Sequence, residues 1–138
     1  MSSFLGLFDW LPKRHATAQR RTHARRKALA GLEFTLAELG HDLQRLAEFS
    51  QTADQDDVAV VKGEAAISSR ILELLARGER FAADLAGDEA ASTWRDVATS
   101  TGDARLLEQS PHRAAKLKEV AAQCEQLQQF VSQELADL

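Results

Sequence analysis

Leu29, Leu32, Leu36, Leu39, Leu43 and Leu46 follow one another at alternating intervals of three and four residues. That alternation holds all six on one face of an α-helix and excludes a strand, whose side chains change face at every residue. The seam predicts a first helix over 29–53, continued weakly by Ser50 and Ala53, whose apolar face has to be buried against other helices. The composition allows little else. Two prolines and seven glycines in 138 residues are too few for an all-β sandwich, and 44% hydrophobic residues are too many for a disordered chain. The single cysteine excludes a disulfide framework and a multi-thiolate zinc site. The apolar runs are too short for a transmembrane helix.

The polar stretch 50–57 reads as a connection, with Asp56 or Asp57 placed to cap a second helix. That helix, over 57–86, carries Val60, Ile67, Leu74 and Phe81 on one row and Ile71 and Leu85 beside it. Val61, Leu72 and Leu75 are expected to widen the stripe toward a further neighbour. Gly63 and Gly78 each cost roughly 1 kcal/mol relative to alanine, which points to close helix contact at those positions. Gly87 is a terminator. A short helix is expected over 90–100 around Trp94, Val97 and Ala98, then a turn at Gly102 and Asp103, with Leu106 and Leu107 covering one end of the core.

Ser110 and Pro111 together form a helix start, serine as cap and proline in the first turn. The last helix places Leu117, Val120, Cys124, Leu127, Val131 and Leu138 on one stripe, flanked by Phe130 and Leu135. At about 1.5 Å per residue the three long segments each span roughly 40 Å. The expected fold is therefore all-α: an antiparallel bundle of three long helices with one or two short ones, over 29–138, preceded by an N-terminal amphipathic and basic helical arm over 1–28. The basic segment 13–28 of that arm is expected to continue the first helix beyond the bundle or to hinge away from it.

Charge separates the arm from the body. Residues 1–30 hold seven basic residues against Asp9 alone, a net +6, whereas the remainder carries −10 within an overall −4. No carboxylate occurs between Asp9 and Glu33. A basic arm on an acidic body suits an anionic partner, or an arm lying against its own domain.

The arm opens with Phe4-Leu5-Gly6-Leu7-Phe8-Asp9-Trp10-Leu11, stopped by Pro12. On a helical wheel Phe4, Leu5, Leu7, Phe8 and Leu11 fall within about half the circle, with Trp10 at its margin. Two such turns are not stable alone in water. They require a bilayer interface, a groove on a partner, or the protein's own bundle. Beyond Pro12, Lys13, Arg14, Arg20, Arg21, Arg25 and Lys27 cluster within roughly 160° of arc on a continuous helix, and Arg26 adds to the same run. An apolar wedge followed by a basic face is the layout of an interfacial anchor, in which two weak signals combine. Gly6-Leu7-Phe8-Asp9, followed by an apolar residue, resembles the opening of amphipathic membrane-active peptides and of phage-shock-type peripheral membrane proteins. The resemblance spans about eight of the 138 residues. It implies surface association, and no site or activity is carried over.

The favoured reading is a non-catalytic adaptor or scaffold docking reversibly on an anionic membrane. Phe4, Leu5, Leu7, Phe8, Trp10 and Leu11 insert, and Lys13, Arg14, Arg20, Arg21, Arg25, Arg26 and Lys27 meet head groups. The context expected is cytoplasmic, peripheral to the inner membrane, with a protein partner for the acidic body. One competing reading is an assembly subunit whose apolar segment plugs a partner groove. Another is a nucleic-acid-binding arm, which leaves the wedge unexplained and lacks interleaved aromatics. An organellar presequence shares the arginine-rich, acid-poor character. A homo-oligomer is compatible with any of these, because Phe34 and His41 share a row away from the leucine seam, a packing face for another helix or another subunit.

Catalytic chemistry is not expected. Glu38 and His41 form one Glu-x-x-His pair, but a di-metal bundle needs a second, and none occurs. His15 and His23 lie in the arm, where protonation would strengthen binding to anions. Cys124 falls on a core row, and Glu64 and Glu134 lie on apolar rows at bundle edges. Phosphate-binding glycine loops and serine-hydrolase elbows are absent, and no metal or cofactor is expected.

Overall fold

The structure is a computed structural model that describes residues 22–52, 58–106 and 111–138. Three helical runs account for them: α1 (Thr22–Thr52), α2 (Val58–Leu106) and α3 (Pro111–Ala136). Every described residue before Asp137 is helical, and no strand occurs among them. No described helix is long and apolar enough to cross a membrane.

The leucine seam forms the centre of the core. All six leucines from Leu29 to Leu46 are buried, together with Ile67, Ile71, Leu74 and Leu75 of α2 and Leu117, Cys124, Leu127 and Val131 of α3. Burial of each such side chain contributes about 1.5–3 kcal/mol. α1 is the common neighbour, packing along α3 and α2, while α2 and α3 touch each other little. Its contacts set the directions. Gly31 lies against Phe81 and Gly63 against Phe49, so residue numbers fall along this part of α2 as they rise along α1. In the same sense Glu33 accepts a hydrogen bond from Ser132 Oγ, and Gly40 faces Cys124. Both neighbours thus run antiparallel to α1 along these contacts.

The run called α2 is not one rod. Gly87 has φ +78°, the left-handed region, where glycine escapes the Cβ clash other residues meet. Trp94 Nε1 donates to the Leu75 carbonyl at 2.6 Å, and Arg95 pairs with Glu79 at 2.7 Å. Residues sixteen apart on a straight helix would be about 24 Å apart. The chain therefore reverses at Gly87, and the second arm returns along the first. Gly87 ends a helix as its residue type predicts. The second arm runs on to Leu106, past the turn expected at Gly102 and Asp103.

Gly78 explains how closely the two arms meet. The Trp94 indole occupies the space a Cβ would need there, and Trp94 is fully buried. Gly63 has the same role more gently, with a Cβ meeting Phe49 at 3.3 Å. Gly31, which the periodicity did not single out, seats the Phe81 ring.

One expectation is corrected here. Val61 and Leu72 do not widen the core stripe but face outward, 48% and 50% exposed, alongside Val58. Only Leu75 of that group is buried, because the returning arm covers its side of α2. Residues 22–28 of the arm continue the first helix, one of the two courses expected for them, and within them Ala28 and Arg25 are buried. The first helix thus starts well before Leu29. The side chains of Leu106 and Leu107 lie outside the described residues.

Candidate functional site

Most of the residues expected to meet a surface, Phe4, Leu5, Leu7, Phe8, Trp10, Leu11, Lys13, Arg14, Arg20 and Arg21, lie outside the described residues. The remaining three stand on the first turns of α1. Arg26 and Lys27 are exposed, as is His23. Arg25 is not: it is 3% exposed, with its guanidinium 3.5 Å from Glu134 near the end of α3. A buried guanidinium requires a counter-charge, and the antiparallel course of α1 and α3 brings Glu134 to it. Arg25 therefore closes one end of the bundle instead of displaying charge on the basic face.

The other end of α3 carries a matching pair. Arg113, in its first turn, contacts Glu64 of α2 at 2.6 Å with both side chains largely buried. Positive charge is unfavourable at a helix N-terminus, and α3 has no acidic residue of its own in that turn. Glu64 supplies that negative charge from another helix. Glu64 and Glu134, read from sequence as long side chains at bundle edges, are thus each the partner of a buried arginine. A charged residue on an apolar row was the available signal. Its partner, many positions away, was not legible.

Asp42 is a third inward charge and was not singled out from sequence. Its carboxylate is fully buried on the α2-facing side of α1, 3.4 Å from Arg70 Nε and 3.9 Å from Arg45. Neither carboxylate oxygen accepts a hydrogen bond, so the two guanidinium charges hold it by attraction alone. Arg70 also pairs with Glu38 at 3.1 Å.

That pairing occupies the carboxylate of the Glu38–His41 pair, while His41 is exposed beside an open groove between α1 and α3. The groove, about 350 Å³, is lined by Gly40, Gln44, Glu125 and Gln128 among others. No group of three or more His, Cys, Asp or Glu suited to a metal ion occurs among the described residues. Cys124 is buried, and burial pushes its thiol pKa well above the ordinary value, which disfavours the nucleophilic thiolate. A second open groove, about 440 Å³, lies along Val61, Ala65, Ser68, Ser69 and Leu72 and ends at the Glu64–Arg113 pair.

Compared with protein-family models, curated proteins and solved structures, the chain matches none of them. The described residues define it by their own geometry: a helical assembly closed at both ends of α3 by buried ion pairs, with exposed basic residues on the first turns of α1.

Proposed function

We propose that the protein is a non-catalytic adaptor that docks reversibly on an anionic membrane surface through residues 4–27. One observation carries the reading: an apolar wedge over 4–11, followed by a carboxylate-free basic run that continues onto exposed Arg26 and Lys27 of α1. A short apolar element alone binds membranes marginally, and each added basic residue near anionic lipid contributes about 1 kcal/mol. In this mechanism Phe4, Leu5, Leu7, Phe8, Trp10 and Leu11 enter the interface. Lys13, Arg14, Arg20, Arg21, Arg26 and Lys27 meet head groups, and Arg25 stays with Glu134. The acidic remainder of the chain is repelled by the same surface and faces solution and a protein partner.

The test is co-sedimentation of the full chain with neutral and anionic vesicles at low and high salt. A variant lacking residues 1–12 and a duplex DNA control accompany it. Binding to anionic vesicles that falls with salt and disappears on truncation supports the reading. Binding to DNA instead, or loss of a protein partner on truncation without any lipid binding, overturns it.

A further inference from the structure

The outward side of α1, opposite the leucine seam, carries a second row at the same alternating spacing. Lys27, Ala30, Phe34, Ala37, His41, Gln44 and Glu48 all lie on it, and all are exposed. Phe34 is 59% exposed, although it stands on the helix that organises the core. The row has an internal symmetry. Ala37 is its central member, with Phe34 and His41, Ala30 and Gln44, and Lys27 and Glu48 at successive steps on either side.

We propose that this face is an interface with a second copy of the chain, the two α1 helices lying antiparallel about a two-fold axis at Ala37. In that register Lys27 faces Glu48 of the second copy at each end, and Phe34 packs on its His41. Ala37 meets Ala37 on the axis. A two-fold interface uses the same patch twice and must be self-complementary, which this row is when reversed. A parallel pairing would set lysine on lysine and glutamate on glutamate, like charges that oppose association. Small side chains at Ala30 and Ala37 let the helices approach to about 8–10 Å. The alternating spacing suits the shallow crossing of about 20° that keeps such a row in contact over several turns. Glu125 and Gln128 of α3 border one flank and the Glu38–Arg70 pair the other, a polar rim around a small apolar centre.

The pairing stands independently of membrane docking and has a consequence for it. The two Thr22 ends of α1 would lie at opposite ends of the dimer, about 45 Å apart. Two basic arms so placed would contact one surface together, and the second contact would be intramolecular.

The test uses the full chain without lipid. Sedimentation equilibrium up to about 100 μM should give a mass approaching twice 15.2 kDa. Phe34→Glu, at an exposed position, should return it to one chain with unchanged circular dichroism. Lys27→Glu should raise the dimer dissociation constant about tenfold, and adding Glu48→Lys should restore it. Ala37→Cys should cross-link two chains under mild oxidation and Ala30→Cys should not, Cys124 being buried. A chain monomeric throughout, as when its own N-terminal segment covers the row, overturns the proposal. So does a dimer indifferent to Phe34→Glu, or one in which Ala30→Cys cross-links and Ala37→Cys does not.

Discussion

The indole of Trp94 donates its Nε1–H to the carbonyl oxygen of Leu75 at 2.6 Å, nineteen positions earlier and on the other side of the reversal at Gly87. Two glycines make this contact possible in different ways. Gly87 turns the chain, and Gly78 leaves room for the ring once it has turned.

These roles separate by substitution. Gly87→Ala meets no neighbouring atom, so its cost of about 1–2 kcal/mol comes from the backbone alone. It should lower Tm by a few degrees without moving the emission of Trp94 in a Trp10→Phe background. Gly78→Ala displaces the indole and should cost about 2–3 kcal/mol, with a red shift in the same emission. Equal emission from the two variants would count against the packing described.

The Arg113–Glu64 pair gives a second expectation. Glu64→Leu leaves a guanidinium buried without its counter-charge, a loss of about 2–4 kcal/mol. Replacing both, Arg113→Met with Glu64→Leu, should recover most of that stability. Urea unfolding of the wild type, Glu64→Leu, Arg113→Met and the double variant forms the cycle, and a coupling below about 0.5 kcal/mol would show that the pair does not act as a unit.

Arg25 and Arg26 are sequence neighbours with different tasks. Arg25→Ala should destabilise the fold by about 2–3 kcal/mol through loss of the Glu134 contact. Arg26→Ala should leave Tm unchanged and weaken binding to anionic vesicles about fivefold, as expected for one exposed charge near the surface. Thermal melts and vesicle titrations on both variants check this. The reverse pattern would place the basic face elsewhere.

Leu72 and Leu75 provide a contrast on α2. Leu75→Ala should cost about 2–5 kcal/mol and Leu72→Ala less than about 0.5 kcal/mol. Comparable losses in denaturant melts would mean that Leu72 is covered in solution.

Cys124 should resist an aromatic disulfide reagent in the folded protein, because the thiol is buried and its deprotonation suppressed. Its labelling rate should rise with denaturant in parallel with global unfolding. Rapid labelling of native protein would contradict its place in the core.

Much of the helical framework was legible before any tertiary contact was known. The seam from Leu29 to Leu46, the stop at Gly87, the start at Pro111 and the core position of Cys124 all follow from a 3.6-residue period and from the backbone preferences of glycine and proline. These are local properties, expressed within a few residues of chain. The tertiary structure decided which of two apolar faces on α2 would be covered, turning Leu75 inward and Leu72 outward. It also decided that Arg25 and Arg113 would be buried against Glu134 and Glu64, and that Asp42 would lie between Arg45 and Arg70. Periodicity marks a side chain's face but not its neighbour. A buried charge is stable only when a partner from a distant part of the chain arrives opposite it, and that meeting is set by how the helices pack.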